Sequence, residues 1–214
     1  MTSRRNRRAR SSGSEAVNIA KVIWNSKALS KWGNRGWSDF APQFVKEKIF
    51  EKYALPDAIW IETGTFRGKT TRFLSRLASQ VYTIEAAEKY YENARKRFSG
   101  TNVKVLHGLS EEVMPGLLPG LSGDICFWLD GHFSAGDTFE GAKHCPVEDE
   151  LDCIAQNMGQ FNRVSILIDD VRCFLPSETS YRDYPTLDFL VDWCRTHGFE
   201  WRIEQDIFIA RNWT

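Results

Sequence analysis

The sequence of 214 residues lacks a long apolar run, a net charge and a pairing pattern of cysteines. No apolar stretch approaches the roughly 18 residues that a membrane-spanning helix requires, so a membrane span is not expected. Lysine and arginine number 28, as do aspartate and glutamate, which leaves no net charge to indicate a nucleic-acid partner. The five cysteines are odd in number and contain no CxxC pair. We therefore expect neither a disulfide framework nor a zinc site, and we predict a cytoplasmic protein.

The overall balance of charge conceals a basic segment at the start of the sequence. Residues 1–14 contain five arginines and no acid, a net charge of +5, so the other 200 residues carry a net charge of −5. No apolar stretch follows as it would in a secretory signal, and we interpret residues 1–14 as a disordered, solvated tail. An electrostatic arm for RNA or an anionic membrane is the alternative. The acidic remainder is not expected to bind nucleic acid by charge alone.

What is present suits one folded domain with an appendage, since 42% of the residues are hydrophobic and 13% are aromatic. Residues 15–56 contain two weak helical patterns separated by the polar stretch 25–40, and we assign them to an N-terminal helical cap. From residue 57 to residue 214 the pattern is regular, and we predict one further unit there.

This regular part alternates short apolar runs with helical periods. Five runs predict strands, at residues 58–62, 81–85, 102–107, 124–130 and 164–170. Pro185 is predicted to open the last helix. Two strand-like runs, 199–204 and 206–211, follow it with almost nothing between them, as in a hairpin. Apolar strands that alternate with helices predict an α/β fold: a doubly wound sheet of about seven strands, mostly parallel, with a C-terminal antiparallel hairpin.

Acidic residues stand at the ends of four of the predicted strands: Glu62, Glu85, Asp130 and the pair Asp169 and Asp170. Ligands of open parallel sheets bind beyond the carboxyl ends of the strands, near the point where the strand order reverses. We therefore expect the functional site at this edge of the sheet.

The first predicted strand runs into a glycine-containing turn, Glu62-Thr-Gly-Thr-Phe-Arg-Gly-Lys-Thr70. Glycine permits a sharp turn and a close approach to a ligand, and the following helix start offers free N–H groups. A phosphate-binding P-loop needs four residues between its glycines, whereas only three separate Gly64 from Gly68. A dinucleotide-binding turn would have glycine in place of Phe66. The spacing therefore favours a ligand without a pyrophosphate, with a purely structural turn as the alternative.

Two further positions fit a nucleoside. Glu85 lies 23 residues after Glu62, where an acid can accept hydrogen bonds from both hydroxyls of a ribose. Alternatively, Glu85 complements the dipole of the helix that starts after it. The turn Gly108–Ser110 after the third strand could line an adenine ring, or it is an ordinary loop.

The last strand ends predict a cation site. Asp130, Asp169 and Asp170 would come together at one edge, and clustered carboxylates normally require a cation or a shared proton. Oxygen ligands favour Mg²⁺, Mn²⁺ or Ca²⁺ over Zn²⁺. In the alternative, one acid faces the cleft and the others cap loops. His132, two residues past Asp130, could remove a proton from a bound hydroxyl, or it is structural.

The order Glu62-x-Gly64, Glu85, Asp130 and Asp169-Asp170, with the terminal hairpin, resembles the class I S-adenosylmethionine-dependent methyltransferases over residues 57–211. An acid after strand four and an acidic pair after strand five resemble, within that class, the cation-dependent catechol, macrocin and sugar O-methyltransferases. The phrase LDGHFSAGDTFEG, followed by PVEDEL and ILIDD, is similar to bacterial members of this group.

The resemblance implies a Rossmann-like fold with substrate specificity in the region before residue 57. It also implies site roles. The residues around the cofactor would be Glu62, Gly64 and Gly68 at the methionine part, Glu85 at the ribose, and Gly108, Leu109 and Ser110 at the adenine. Thr65 and Asp130 would also bind the cofactor, and Asp130 would bind the metal as well. Phe133 stands where the catechol enzymes carry a lysine base. The lysine base of those enzymes therefore has no counterpart here. The catalytic role of His132 beside Asp130 is inferred from the residues themselves and not from the resemblance.

The expected function is therefore methyl transfer from S-adenosylmethionine to a hydroxyl of a small molecule or glycan, assisted by Mg²⁺ or Mn²⁺. A P-loop-like phosphotransferase and a non-catalytic binding module on the same fold are the alternatives. A homodimer is left open, and the acceptor itself is not specified by the sequence.

Overall fold

The computed structural model of the protein describes residues 19–37, 41–131, 145–176 and 183–214. Within these ranges the strands β1 to β7 are Ile59–Thr63, Gln80–Glu85, Val103–His107, Gly123–Leu129, Phe161–Ile168, Glu200–Glu204 and Ile207–Arg211. The helices α1 to α7 of the same ranges are Ile19–Gly33, Gln43–Tyr53, Lys69–Leu74, Glu88–Arg97, Ser110–Leu117, Val147–Asn157 and Leu187–His197. Short 3₁₀ turns lie at Leu118–Gly120, Met158–Gln160 and Val171–Phe174.

The described strands form one mixed sheet in the order β3-β2-β1-β4-β5-β7-β6. β1 lies between β2 and β4 and runs parallel to both, with Thr63 aligned with Ile84 and Leu129. β5 is parallel to β4 and antiparallel to β7, which also pairs antiparallel with β6. The predicted fold class is confirmed, including the C-terminal antiparallel hairpin. The strand order reverses at β1 and β4, so ligands are expected at their carboxyl ends.

Helices cover both faces of the sheet because the central strands are apolar on both sides. In β1, Trp60 packs into a buried cluster with side chains of α2, α3 and α4. The next residue, Ile61, packs on the opposite face into a cluster with side chains of α5, α6 and α7. This alternation follows from the two-residue repeat of a strand, which sends successive side chains to opposite faces.

An aromatic cluster fixes α2 on the first of these faces. The Phe50 ring meets Trp60 of β1 and Trp128 of β4 edge to face, with ring centroids 6.0 and 4.7 Å apart. All three side chains are fully or almost fully buried. Offset and edge-to-face pairs of this kind add to the stabilisation from burial. Helix α2 is therefore anchored on this face of the two central strands, β1 and β4.

Several boundaries differ from the sequence prediction. The stretch 25–40, predicted to separate two helices, is helical as far as Gly33, because buried Trp32 and half-buried Ala28 and Leu29 recur at helical spacing. Strand β5 ends at Ile168 and not at residue 170. Asp170 adopts a left-handed backbone with φ of +55°, which ends the extended conformation.

The helix predicted to open at Pro185 begins at Leu187, and its N-cap is Thr186, whose side chain accepts a hydrogen bond from the Phe189 N–H. The predicted tail, residues 1–14, lies outside the described residues. In the part of the chain that the structure describes, every helix is too short or too polar to cross a membrane.

Candidate functional site

The carboxyl ends of four parallel strands meet at one edge, and backbone hydrogen bonds continue beyond the strands. The Gly64 N–H donates to the Ile84 carbonyl at 3.0 Å, and the Asp130 N–H donates to the Thr63 carbonyl at 3.2 Å. The Asp169 N–H donates to the Leu129 carbonyl at 3.1 Å. The predicted residues Glu62, Glu85, Asp130, Asp169 and Asp170 therefore lie along one edge, as the spacing indicated.

Glu62 is fully buried at this edge and is held by two hydroxyl groups. Thr71 Oγ1 and Thr83 Oγ1 donate to its Oε2 at 2.5 and 2.6 Å. Thr65 Oγ1 lies 2.5 Å from Thr83 Oγ1 and extends the network. The other carboxyl oxygen, Oε1, is buried and has no hydrogen-bond partner among the described residues. A buried polar atom without a partner costs free energy, so Oε1 is a candidate contact for a polar ligand.

Burial raises the pKa of Glu62 to about 8, against the lowering effect of the Thr71 and Thr83 hydroxyls, and the negative charges of Asp130 and Glu85 raise it further. At neutral pH the carboxyl group therefore carries a proton in the protein without ligand. A cationic ligand group beside Oε1 would lower this pKa and favour the carboxylate.

The loop after β1 has a left-handed backbone at three positions. Gly64 and Gly68 have φ of +82° and +63°, and Phe66, which is not a glycine, has φ of +47°. An ideal Cβ at Gly64 would lie 2.4 Å from the Asp130 carbonyl oxygen, so the loops after β1 and β4 touch through backbone. The two predicted glycines are thus required by conformation, and Gly64 also by space.

Glu85 organises two of these segments. Its Oε2 accepts a hydrogen bond from the Phe66 N–H at 2.7 Å, and its Oε1 accepts one from the Ala87 N–H at 2.9 Å. Ala87 is the N-cap of α4, so the alternative role at a helix start is present in the structure. Ionised carboxylates have about four acceptor positions, so ribose hydroxyls could still bind.

The predicted adenine segment adjoins Glu85. The Gly108 N–H donates to the Glu85 carbonyl at 3.1 Å, and Gly108 has φ of +141°. Leu109 is the N-cap of α5, and buried Ser110 is its first residue. The segment Gly108–Ser110 therefore continues the same edge at the end of β3.

The edge of the sheet at which the acidic residues after β1, β2, β4 and β5 lie, here called the acidic edge, also contains a cation that sequence reasoning missed. Lys46 of α2 donates a hydrogen bond from Nζ to Asp169 Oδ2 in a salt bridge. Burial lowers the pKa of Lys46, but the carboxylates of Asp169, Asp130 and Asp170 outweigh it and raise that pKa above its ordinary value. The ammonium therefore stays charged at neutral pH. No local pattern signals this contact, because 123 residues separate the two partners in the sequence.

Asp170 is bound by a second cation. Arg172 Nη1 donates to Asp170 Oδ1 at 2.7 Å and also to Asp206 Oδ2, in the turn between β6 and β7. The pKa of Asp206 is raised, since burial outweighs the lowering effect of the bonds from Arg172. Asp170 thus contributes to a link between the end of β5 and the hairpin.

The predicted metal site is not supported by these contacts. Asp169 and Asp170 each use a carboxylate oxygen on a basic side chain, and residues 19–37, 41–131, 145–176 and 183–214 contain no group of three or more His, Cys, Asp or Glu that could hold a metal ion. The three acids do act together, but on the ammonium of Lys46. The donor set therefore does not fit a divalent cation in this arrangement. His132, the predicted base, lies outside the described residues.

Comparison with known proteins bears on the fold. No family model and no curated protein matches the sequence. A solved methyltransferase from Geobacter sulfurreducens matches 93% of this chain and 97% of its own, with a TM-score of 0.54 and 13% identity. The precorrin-6y C5,15-methyltransferase from Geobacter metallireducens matches 82% of this chain and 90% of its own, with a TM-score of 0.50 and 16% identity.

At such identities the likeness establishes the fold, which is the Rossmann-like fold of class I methyltransferases. The finer resemblance to cation-dependent O-methyltransferases is not confirmed by these structures.

Proposed function

We propose that the protein is an S-adenosylmethionine-dependent methyltransferase that acts on a hydroxyl group of a small molecule or sugar. The observation that carries the proposal is the buried Glu62 carboxyl, with one unpartnered oxygen, beside a glycine loop at the point where the strand order reverses. A carboxyl group in that place suits the ammonium of the cofactor's methionine part. That ammonium would be the positively charged hydrogen-bond donor for which Oε1 has no counterpart among the described residues.

The neighbouring residues fit the other parts of the same ligand. Glu85 could accept hydrogen bonds from the ribose hydroxyls with the acceptor positions that Phe66 and Ala87 leave open. Gly108, Leu109 and Ser110 would lie at the adenine.

When bound, the cofactor supplies an electrophilic methyl group on a sulfonium. That carbon would pass from the sulfonium sulfur to the acceptor oxygen, and the acceptor hydroxyl would have to give up its proton. The protein's task is to hold and orient the acceptor and to take up that proton. Asp130, at the end of β4, and His132 are the proposed acceptors of the proton, and no divalent cation is part of this proposal.

The phosphotransferase alternative fits the contacts less well. The glycine loop contacts the Glu85 carboxylate through Phe66 and lies against Asp130, with Glu62 behind it. A phosphate bound to the Phe66 N–H would have to displace the Glu85 carboxylate, which already accepts a hydrogen bond from that group.

Titration calorimetry with S-adenosylmethionine and, separately, with Mg-ATP tests the proposal. We expect saturable binding of S-adenosylmethionine, weaker binding to Glu62→Gln, and unchanged binding to Glu88→Gln, an exposed acid in the first turn of α4. Binding of Mg-ATP together with no binding of S-adenosylmethionine would overturn the proposal. Cofactor binding without turnover on any hydroxyl acceptor would favour the non-catalytic module.

A further inference from the structure

Helix α2 delivers a lysine to the acidic edge. Phe50 anchors the helix on Trp60 and Trp128, and Lys46 lies one turn earlier on the same side of α2. Its ammonium nitrogen contacts Asp169 and lies 5.6 Å from the centroid of the Trp128 ring. The cation is therefore held by a carboxylate and by the face of a buried aromatic ring.

The burial of this pair distinguishes it from an ordinary surface salt bridge. The side chain of Lys46 is 17% exposed and that of Asp169 is 3% exposed. Lys48, two residues later on α2, is 75% exposed, and its partner among the described residues is Glu51 of its own helix. The same helix thus has one lysine committed to the site and one in solvent.

All three carboxylates that were predicted to bind a metal act electrostatically on this one ammonium, those of Asp130 and Asp170 together with that of Asp169. A divalent ion among them would meet the positive charge of Lys46 at short range and would compete for the Asp169 oxygen that Lys46 occupies. The ammonium and a metal ion would therefore compete for the same position at this edge.

We infer that the Lys46 ammonium takes the place of a divalent cation at this edge, so that the site neutralises its carboxylates and positions the acceptor without a metal. The part that concerns the acceptor rests on the proposed function, whereas the occupancy of the cation position does not. Lys46 is a positioning residue: Asp169 is its one hydrogen-bond partner among the described residues, and two of its three N–H donors remain for the acceptor oxygen.

Binding of Mn²⁺, followed by electron paramagnetic resonance on the full chain, tests the inference without a known acceptor. We expect the wild type and the control Lys48→Met to bind no Mn²⁺ more tightly than about 1 mM, the weak end of protein sites for hard cations. Lys46→Met should gain affinity at least about tenfold, because the carboxylates lose their ammonium. Adding Asp169→Asn to Lys46→Met should abolish that gain and so locate the ion. Lys46→Gln, which can still donate to Asp169, replaces Lys46→Met if that variant fails to fold.

Tight stoichiometric binding of Mn²⁺ to the wild type, lost in Asp169→Asn, would overturn the inference. So would the absence of any gain in folded Lys46→Met and Lys46→Gln. Titration of the same samples with S-adenosylmethionine tests the proposed function separately, since its predicted contacts lie at Glu62 and Glu85.

Discussion

The α-carbon of Gly64 faces the backbone carbonyl of Asp130 with no room for a side chain, since an ideal Cβ would lie 2.4 Å from that oxygen. This contact joins the loops after β1 and β4. Gly64→Ala should therefore shift the two loops apart, lower the free energy of unfolding by about 1–3 kcal/mol and weaken cofactor binding. Chemical denaturation and titration calorimetry measure the two effects.

Gly100→Ala is the matched control for Gly64→Ala. Gly100 has φ of +75°, close to that of Gly64, but a Cβ there would meet nothing within 4 Å. Gly100→Ala therefore introduces the backbone strain of a left-handed alanine without the clash, and it should lower the free energy of unfolding by about 1 kcal/mol. Equal costs for the two variants would show that the contact with Asp130 has no effect of its own.

The titration of Glu62 predicts a dependence of stability on pH. The pKa of this carboxyl is about 8 in the folded protein, against an ordinary value of 4.5, so between these values the folded state holds an extra proton. The stability due to that proton is complete below pH 4.5 and is lost as the pH rises through 8. From pH 5 to 8, the wild type should therefore lose stability relative to Glu62→Gln, at up to about 1.4 kcal/mol per pH unit. Chemical denaturation of both proteins at each pH measures this difference. If the free energy of unfolding changes with pH by the same amount in both proteins, the raised pKa of Glu62 is contradicted.

Binding of a cationic ligand group at Glu62 should release a proton. At pH 7 the buried carboxyl carries its proton, and an ammonium beside Oε1 would favour ionisation. The calorimetric enthalpy of S-adenosylmethionine binding should therefore vary with the ionisation enthalpy of the buffer, and Glu62→Gln should remove that variation. Equal enthalpies in phosphate and Tris would place the ammonium elsewhere.

Replacement of Glu85 should weaken cofactor binding. Its carboxylate orders the Phe66 and Ala87 N–H groups and has acceptor positions left for a ribose. We expect Glu85→Ala to lose about 1.5–3 kcal/mol of cofactor affinity, the range for hydrogen bonds to a charged group. Adenosine analogues without the ribose hydroxyls separate a direct contact of Glu85 with the ribose from its effect on the loop. If wild type and variant lose the same affinity for a 2′,3′-dideoxy analogue, Glu85 acts on the loop alone.

Arg172 should stabilise the protein more at neutral than at acidic pH. Its guanidinium binds Asp170 and Asp206, all three side chains being less than one-fifth exposed. Arg172→Met leaves two carboxylates in a partly buried place, which should cost about 3 kcal/mol at pH 7 and less at pH 4, where carboxylates protonate. The exposed pair of Arg163 with Asp124 is the control, and Arg163→Met should cost less than about 1 kcal/mol. An equal loss in both variants, or no change with pH, would contradict the expectation.

Hydrophobic periodicity was sufficient to predict the strands of the sheet, because the apolar run of each strand is a local feature of the sequence. The run around Trp60 is apolar on both faces, as is the run around Phe127, and both form central parallel strands. Glu62 and Glu85 were placed at the correct edge for the same reason: the end of an apolar run marks the end of a strand. The exact end of β5 was missed, because the left-handed backbone of Asp170 leaves no pattern in hydrophobicity.

The polar contacts of the site could not be predicted, because they join distant segments. Thr71 and Thr83 bind the same oxygen of Glu62, yet they belong to different elements, α3 and β2, and no pattern in the sequence links them. The carboxylates at Asp130 and Asp169 suggested a metal, whereas the fold brings a lysine from α2 to them. That outcome depends on the docking of a helix through Phe50, which hydrophobic periodicity alone does not specify.

The pairing of Lys46 with Asp169 also sets an order of assembly during synthesis. The β1 loop, Glu62 and Glu85 are made within the first half of the chain, and β1 can pair with β2 as soon as both have emerged. Asp169 follows Lys46 by 123 residues, so the acidic edge receives its ammonium only after β5 has left the ribosome. The residues at Glu62 and Glu85 are thus synthesised early, whereas the contact between Lys46 and Asp169 forms only when β5 joins the sheet.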